Sequence, residues 1–366
     1  MIKLNTLLAE AKLGMSIPSD IKKLYSIFKK NGHQLYVVGG AVRDAILGSS
    51  PKDFDLATDA KPDKVLQMAK DAGIKSVEVG KAFGVVMIGG HEIATFRKDI
   101  GSGRRPDAVD FTDIKGDVQR RDLTINALFY DIGRGEIVDL VGGIKDLKKK
   151  CIRCVGDAGV RFKEDPLRKL RAVRFAGSIG GKMEQQTYEA LRKNPNISGV
   201  SSERIRDEFI KGIKKAKGVA NYLKLCNDLK LLPQILKGLK IDTGFKNIKD
   251  YIVQIAYLLR KNNPNGVYTQ LKSLKYHNQE AFDIWFLLNL IKFDSKNIYT
   301  YKTEQKKTKL SSSQLKLWAG LIGQGSMINK MNRFKLSVKG GDVAKMGFRG
   351  ADIGKKIKDL EYQKFK

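Results

Sequence analysis

The sequence has few cysteines and few histidines. Its 366 residues include three of each. Three cysteines cannot form a disulfide framework, which favours a reducing compartment. Cys151 and Cys154 form a C-x-x-C pair, but the other Cys and His residues are isolated in the sequence, so a zinc site would lack its further ligands. The flanking residues predict a strand that runs into a turn rather than a helix start, and we therefore interpret the pair as structural.

Long apolar runs and acidic residues are also scarce. No stretch approaches the ~20 uninterrupted apolar residues of a membrane span. The first residues lack the apolar core of a secretion signal, so we expect a cytoplasmic protein. The chain carries 69 Lys and Arg against 39 Asp and Glu, a formal net charge of +30. Because each phosphate that a cation neutralises releases condensed counterions, this excess favours nucleic acid as partner, with an anionic membrane surface as the alternative.

The pattern of apolar residues changes near residue 142. Before it, short apolar runs punctuated by glycines, such as 35–40, predict strands, and 63–73 has the spacing of a helix. After it, a period of about 3.6 residues dominates. This period predicts one helix within 158–176 and a buried helix pair over 272–293. The predicted fold class is α+β, with a small mixed sheet and helices first and helical parts after them.

A glycine pair follows the predicted strand 35–40. At Gly39 and Gly40 the missing side chains let backbone N–H groups approach a ligand closely. A helix that starts near Ala41 would add its unpaired amides and its dipole, and together these groups form an anion site. No GKS or GKT follows, so the turn is not a Walker A loop.

A carboxylate pair comes shortly after the glycines, in the sequence DFD. Asp53 and Asp55 point to one face of a strand because side chains alternate, and Phe54 points to the core. A divalent cation that bridges both carboxylates would offset their repulsion and would support a two-metal displacement. The alternative is a solvated strand edge.

In combination these motifs resemble a known signature. The stretch YVVGGAVRDAILGSSPKDFDLAT is similar to that of the polymerase-β-type nucleotidyltransferases, specifically the class II tRNA nucleotidyltransferase and bacterial poly(A) polymerase family. Further family motifs follow in order: GKAFG at 80–84, HEIATFR at 91–97, RRP at 104–106, RRDLTINALFYD at 120–131, GGIKDL at 142–147, RFKEDPLRKLRAVRFA at 161–176 and SSERIRDE at 201–208. The resemblance covers roughly residues 32–215, with a looser match to the family's tail at 336–360.

The resemblance implies a domain order. We expect a polymerase-β-like nucleotidyltransferase head with the catalytic carboxylates at 1–142 and a helical neck with nucleotide-base recognition at 143–215. A helical body at 216–301 and a helical tail at 302–366 would bind tRNA.

The resemblance also assigns roles to matching positions. Asp53 and Asp55 would hold two Mg²⁺ ions, and Glu92, on a strand expected beside DFD, would be a third catalytic carboxylate. The triphosphate and ribose would be bound by Gly39, Gly40, Arg43, Arg121, Asp122 and Asn126. The nucleotide-base motif contributes Asp165, Arg168, Arg171 and Arg174.

The motif EDPLR predicts how a base is selected. Asp165 and Arg168 are spaced as neighbours on one helix face. Asp offers only acceptors and Arg only donors. C and A present an amine donor beside a ring-nitrogen acceptor, whereas G and U present a carbonyl beside an N–H. The pair therefore matches C and A, in place of a nucleic-acid template. An ordinary ion pair is the alternative.

The implied function is template-independent addition of C, C and A to the 3′ end of tRNA from CTP and ATP, with the acceptor end and adjoining stem as the bound partner and no DNA. The alternatives are a CC-only or A-only enzyme, a poly(A) polymerase and an inactive RNA-binding protein. The segment 97–106 is shorter than is usual in the family and lacks its aromatic and extra acidic residue, which leaves the final A addition open. No phosphohydrolase signature is present, so we expect no appended phosphatase activity, and the sequence leaves the oligomeric state open.

Overall fold

The computed structural model describes residues 11–12, 14–51, 53–101 and 107–366. The chain divides into two compact units, Met1–Val200 and Ser201–Lys366. In the described part of the chain, every strand belongs to the first unit, and the second unit is helical. The α+β class is therefore confirmed, with the sheet first and helices after it. The predicted RRP motif at 104–106 lies outside the described residues.

The strands of the first unit form one large mixed sheet and two small ribbons. They are β1 (Ala11–Lys12), β2 (Leu35–Val38), β3 (Asp55–Thr58), β4 (Ser76–Gly80), β5 (Val85–Ile88), β6 (His91–Thr95), β7 (Arg97–Ile100), β8 (Ala108–Phe111), β9 (Leu128–Asp131), β10 (Glu136–Asp139), β11 (Cys151–Ile152) and β12 (Lys182–Met183). The order in the large sheet is β1-β10-β9-β2-β3-β6-β5-β4, and β7 pairs with β8 and β11 with β12. β2 is antiparallel to β3 and β9, and β3 is parallel to β6.

Short helices connect and cover these strands. They are α1 (Ser19–Lys30), α2 (Gly40–Ile46), α3 (Pro62–Asp71), α4 (Ile114–Gln119), α5 (Gly143–Lys148), α6 (Ala158–Glu164), α7 (Leu167–Ile179) and α8 (Gln185–Lys193). α1 buries Ile21, Leu24 and Phe28, which recur at helical spacing along one face.

The sheet core places aromatic residues beneath the strand ends. Tyr36, Phe96 and Phe129 pack with ring centroids 6.0–6.1 Å apart, mostly edge to face. Val118 of α4 belongs to the same cluster. The helix before the predicted RRD motif is therefore anchored in the core of the sheet.

The second unit contains helices joined by loops, among them a long one at 236–250. They are α9 (Ser202–Lys215), α10 (Val219–Asp228), α11 (Leu232–Ile235), α12 (Tyr251–Leu259), α13 (Pro264–Ser273), α14 (Asn278–Asn289), α15 (Ile298–Gln305), α16 (Ser312–Leu321), α17 (Gly325–Arg333), α18 (Gly340–Lys345) and α19 (Ala351–Phe365). No described helix is both long and apolar enough to cross a bilayer.

The second half of the chain differs from one sequence-based expectation and leaves another untested. The buried pair predicted over 272–293 is wrong, because that stretch holds the last two residues of α13, one complete α-helix, α14, and then a 3₁₀ turn at Leu290–Lys292. Its continuous apolar run reflects burial of α14 on several sides rather than two helices. The division into head, neck, body and tail stays a prediction; its boundary after residue 301 falls inside α15.

Candidate active site

A tight turn at Gly39 connects β2 to α2. Gly39 has φ 69° and ψ −118°, a conformation closed to residues with a side chain. Its N–H donates to the Leu128 carbonyl at 3.0 Å. A Cβ here would lie 3.9 Å from Nη1 of Arg121, so the turn and that guanidinium are neighbours. The predicted glycine turn and the helix after it are present, and the helix begins at Gly40.

Two carboxylates lie side by side at the start of neighbouring strands. β3 and β6 run parallel with Leu56 opposite Ile93, so the preceding residues, Asp55 and Glu92, are also neighbours. Burial raises the pKa of Glu92, and repulsion from Asp55 raises it further. Burial likewise raises the pKa of Asp55, with a contribution from Asp53. The three predicted carboxylates therefore lie close enough that Asp55 repels both Asp53 and Glu92.

The DFD motif differs from its prediction in one respect. β3 begins at Asp55, so Asp53 and Phe54 lie before the strand, and Phe54 is half-buried rather than in the core. The register explains this difference. Asp55 pairs with Val38, the last residue of β2, and the chain then leaves the sheet at the glycine turn. β2 therefore offers no further backbone partner to the two residues before Asp55.

These carboxylates fit a magnesium ion that is bound together with a nucleotide. The carboxylates of Asp53, Asp55 and Glu92 form no hydrogen bond or ion pair with the described part of the chain. Across the described ranges, no group of three or more His, Cys, Asp or Glu side chains is close enough to hold a metal ion by itself. Mg²⁺ usually takes one or two carboxylates and completes its shell with water and substrate phosphates. One or two carboxylates are what this site offers.

Arg121 lies between the carboxylates and the glycine turn. Its guanidinium carbon is 4.5 Å from the centroid of the Phe129 ring. Nε and Nη2 donate to Oδ2 of Asp117 at 3.1 and 2.9 Å. The charge of Arg121 also lowers the pKa of Asp55, against the larger effect of burial. Arg121 is therefore held by an aromatic ring and a carboxylate, close enough to Asp55 for its charge to act on that carboxyl.

A chain of polar contacts runs from Arg171 through the RRD motif to α2. Oδ2 of Asp122 accepts from Nε of Arg171 at 2.6 Å, and Oδ1 accepts from Nδ2 of Asn126 at 3.3 Å. Oδ1 of Asn126 accepts from Nη1 of Arg43 at 2.5 Å. Burial would raise the pKa of Asp122, but the charge and hydrogen bond of Arg171 outweigh it and leave that pKa below its usual value. Four predicted nucleotide-binding residues are thus in contact.

Three arginines lie around the ring of Phe175. The guanidinium carbons of Arg174, Arg43 and Arg171 lie 4.0, 4.8 and 5.7 Å from its centroid. Such cation–π contacts hold a guanidinium in place without using its N–H donors. The arrangement therefore presents several positive charges at one place, as binding of a triphosphate requires.

The EDPLR segment is not the continuous helix that the sequence predicts. Asp165 ends α6 with extended backbone, φ −141° and ψ 105°, and α7 begins after Pro166. A proline disfavours helical backbone at the residue before it, so the predicted helix over 158–176 is broken here. Asp165 and Arg168 therefore do not share one helix face. Oδ1 of Asp165 accepts instead from the N–H of Leu167 at 3.0 Å.

Arg168 is braced from two sides. Nη1 donates to Oε2 of Glu164 at 2.6 Å, and Nη2 donates to the carbonyl of Arg120 at 2.8 Å. Nε of Arg168 donates to no residue in the described ranges. The guanidinium thus keeps its Nε–H for another partner, in a fixed direction.

Sequence reasoning missed Asp117 and Phe175. Asp117 is 1% exposed and binds both arginines of the RRD motif. A signal was present in the sequence, since Asp117 is three and four residues before Arg120 and Arg121, a spacing at which helical side chains meet. Phe175 follows Arg171 by four residues in the same way.

The cysteine pair lies next to the RRD motif in the folded chain. Cys151 begins β11, and Cys154 is buried and bridges to Leu123. Burial raises the pKa of the Cys154 thiol to about 12, so it is a neutral thiol at physiological pH. These features agree with a structural interpretation of the pair.

Comparison with known proteins places this chain among characterised relatives. The model described as "Poly A polymerase head domain" matches residues 35–153, and "Probable RNA and SrmB- binding site of polymerase A" matches 181–242. A Danio rerio protein named CCA tRNA nucleotidyltransferase 1, mitochondrial, is 31% identical over 369 residues, which cover 92% of this chain and 84% of that protein. The chain belongs to the class II tRNA nucleotidyltransferase and poly(A) polymerase family.

Bacterial relatives in this family match over a shorter range. A Ligilactobacillus salivarius protein named CCA-adding enzyme is 40% identical over 222 residues, 57% of this chain. A Bacillus pumilus protein of the same name is 41% identical over 221 residues, 58% of this chain. Each match spans about half of the relative, 54% of its length.

Solved structures confirm the fold. The Bacillus stearothermophilus CCA-adding enzyme, solved in complex with CTP, has a TM-score of 0.68 at 23% identity, covering 94% of this chain and 92% of that chain. Another CCA-adding enzyme, in an apo form, has a TM-score of 0.71 at 20% identity, covering 95% and 92%. These likenesses concern the fold of a nucleotidyltransferase head with a helical remainder.

Proposed function

We propose that this chain adds C, C and A to the 3′ end of tRNA from CTP and ATP. The observation that carries the proposal is the 31% identity over 92% of the chain to a protein named CCA tRNA nucleotidyltransferase. The contacts among Arg43, Arg121, Asp122 and Asn126 support it, because they assemble the family's nucleotide-binding residues around the glycine turn. The predicted cytoplasmic location is part of the proposal.

Asp53 and Asp55 are the residues that would hold Mg²⁺, with Glu92 as a third catalytic carboxylate beside Asp55. When bound, two ions would activate the terminal tRNA hydroxyl and neutralise charge on the departing pyrophosphate. The raised pKa values of Asp55 and Glu92 support this role, because a bound cation would offset the partial desolvation and the repulsion that raise them.

Arg121, Arg43 and Arg171 would bind the triphosphate and orient it against those carboxylates. Asp122 would accept a hydrogen bond from the 2′-hydroxyl of the incoming nucleotide. Its Oδ2 would then accept from that hydroxyl as well as from Nε of Arg171, which already lies 2.6 Å away. A deoxynucleotide would leave the acceptor with one partner fewer, so ribonucleotides are favoured.

Arg168 and Asp165 would select the base from opposite sides of the joint between α6 and α7. We assign Nε of Arg168 as the donor to the ring nitrogen of C or A, since Glu164 and the Arg120 carbonyl engage its other two nitrogens. Asp165 would accept from the exocyclic amine. The selection thus depends on a broken helix rather than on one helix face.

The second unit would bind tRNA through exposed cations near the chain's end. Oε1 of the buried Glu361 accepts from the N–H groups of Ser337 and Val338, both at 2.6 Å. These two hydrogen bonds fix the loop before α18 against α19. Exposed cations on these connected segments include Arg333, Lys335, Lys339, Lys345, Arg349 and Lys355. Phosphate contacts from such a surface need no base recognition, which suits the tRNA stem.

The deciding experiment is the product of the reaction. The purified chain is incubated with Mg²⁺, tRNA that lacks CCA, and CTP and ATP separately or together, and the 3′ ends are sequenced. Addition of CCA supports the proposal. CC alone, A alone or a run of A would assign the chain to the corresponding alternative, and binding without incorporation would make it an RNA-binding protein. Asp55→Asn is the matched inactive control.

Base selection has its own test. Replacing Arg168 with Ala should lower incorporation of C and A and permit U or G, because the N–H of those bases no longer faces a donor. A mismatched polar pair costs ~1–3 kcal/mol, about ten- to a hundredfold in rate. Arg192→Ala is the control, since Arg192 forms a surface ion pair with Glu189 outside the site. An equal slowing of all four nucleotides in Arg168→Ala would show a structural role.

A further inference from the structure

One buried carboxylate, that of Asp117, holds both arginines of the RRD motif. Its Oδ2 accepts from Nε and Nη2 of Arg121 at 3.1 and 2.9 Å. Its Oδ1 accepts from Nε of Arg120 at 2.8 Å and lies 2.7 Å from Nη2 of the same residue. The N–H of Arg97 donates to the same oxygen at 3.3 Å. Both oxygens of Asp117 are thus fully engaged.

We propose that Asp117 is a positioning residue for nucleotidyl transfer, because it orients Arg121 toward the triphosphate; this inference rests on the proposed function. The orientation follows from which nitrogens Asp117 uses. With Nε and Nη2 committed to Oδ2, only Nη1 of Arg121 lacks a partner in the described residues. Nη1 is the atom that lies near the Gly39 turn.

The Phe129 ring leaves Asp117 as the group that sets this direction. Arg121 lies over the ring with 4.5 Å between the guanidinium carbon and the centroid. A ring face fixes the plane of a guanidinium but not its rotation within that plane. A carboxylate that binds one edge through two nitrogens fixes the rotation as well.

The charge balance also favours an anion beyond this cluster. Arg120 and Arg121 share the one carboxylate of Asp117, and the side chains are 19%, 14% and 1% exposed. The nearest further acid to Arg120 is Asp99, 3.8 Å from Nη1. A largely buried group with surplus positive charge is stabilised by a bound anion. The carboxylates of Asp122 and Asp55 also act on Arg121, but neither forms a hydrogen bond with Nη1 in the described residues.

An isosteric amide at residue 117 should break this arrangement. The Asn side chain keeps one acceptor oxygen, which can bind either Arg120 or Arg121. Its NH₂ group would then face the N–H donors of the remaining arginine, so that two donors meet without an acceptor. Asp117→Asn should therefore lower kcat/KM for CTP by about 10- to 100-fold, the usual effect of misplacing a positioning group by about an ångström. Asp117→Glu keeps the charge and should recover part of this loss.

The matched control is Asp139→Asn. Asp139 is also buried, at 2% exposure, but within the described residues it accepts only from backbone N–H groups, those of Val141, Gly142, Gly143 and Ile144. This variant should lose thermal stability and keep its kcat/KM at a temperature well below every melting transition. Equal loss of kcat/KM in the Asp139 and Asp117 variants would overturn the proposal.

A double-mutant cycle separates positioning from a general structural role. If Asp117 acts through Arg121, adding Asp117→Asn to Arg121→Ala should cause little further loss, because the group to be positioned is already absent. Multiplicative losses would overturn the proposal. Where Asp117→Asn does not fold, Asp117→Glu enters the same cycle.

Failure of the proposed function has a different signature. A wild-type chain that incorporates no nucleotide into tRNA would refute CCA addition and leave Asp117 open to a second measurement, direct binding of CTP. Asp117→Asn should weaken that binding, again without a further effect on top of Arg121→Ala. CTP affinity equal to wild type in Asp117→Asn would overturn the positioning role whatever the reaction.

Discussion

Replacing Gly39 with Ala tests whether the glycine turn is part of the nucleotide site. At φ 69° and ψ −118° a side chain strains the backbone, which costs about 1–3 kcal/mol. Overlap adds little, because the new Cβ would meet its nearest neighbours, the Asn126 carbonyl and Nη1 of Arg121, at 3.6 and 3.9 Å. At about 2–4 °C per kcal/mol, the melting temperature of the first unit should fall by about 2–12 °C.

The effect on activity should be larger than the strain explains. The added methyl group lies on the side of the turn that faces Arg121, where we place the triphosphate. Blocking that approach, or rotating the Gly40 N–H to relieve strain, should lower kcat/KM for CTP by about 10- to 100-fold. Steady-state incorporation into tRNA that lacks CCA, measured well below the melting temperature, gives this value.

Gly48→Ala provides the matched control. Gly48 follows the end of α2 at φ 75°, and a Cβ there would have no neighbour within 4 Å. The left-handed backbone conformation should lower the free energy of unfolding of this variant by about 1–2 kcal/mol, and its kcat/KM should stay unchanged. If both variants lost activity equally, or if Gly39→Ala kept wild-type kcat/KM despite its lower melting temperature, the turn would not be a phosphate site.

Three further predictions follow from charges and backbone geometry. Asp55→Asn should raise the melting temperature at pH 7 without metal, because the raised pKa of Asp55 means that its ionised form opposes folding. Below about pH 4 the carboxyl is protonated in both the folded and the unfolded chain, so the two proteins should melt at the same temperature. A difference in melting temperature that persists there would refute the electrostatic explanation. Lys230→Gly should stabilise by up to ~1 kcal/mol in denaturant titrations, since Lys230 has φ 54°. Affinity for tRNA should fall log-linearly from about 50 to 200 mM salt, and a flat profile would exclude phosphate contacts.

Local patterns in the sequence predicted local structure well. The buried run at 35–38 is β2, and the glycines after it form the predicted turn. Glu92 lies beside Asp55, as the predicted strand order requires. These successes share a cause, since alternation and glycine chemistry act over a few residues.

The failures have physical reasons as well. Periodicity alone joined α6 and α7, although Pro166 forbids helical backbone at Asp165 and the sequence shows that proline. The contact between Asp122 and Arg171 joins residues 49 positions apart, so no spacing rule could have revealed it. The second role of Asp122, as the anchor of Arg171, became visible only in the folded chain.

The arrangement of charges explains why the metal and the triphosphate belong to one ligand. Asp55 and Glu92 have no cationic partner in hydrogen-bond contact among the described residues, and burial raises the pKa of both. Close by, Arg121 holds Nη1 near the Gly39 turn, while its other two nitrogens bind Asp117. A free metal ion would satisfy the carboxylates and repel the arginine, and a free triphosphate would do the reverse. A magnesium nucleotide offers each group its opposite charge, so we expect metal and nucleotide to bind cooperatively, with CTP affinity rising on addition of Mg²⁺ in wild type and losing that dependence in Asp55→Asn.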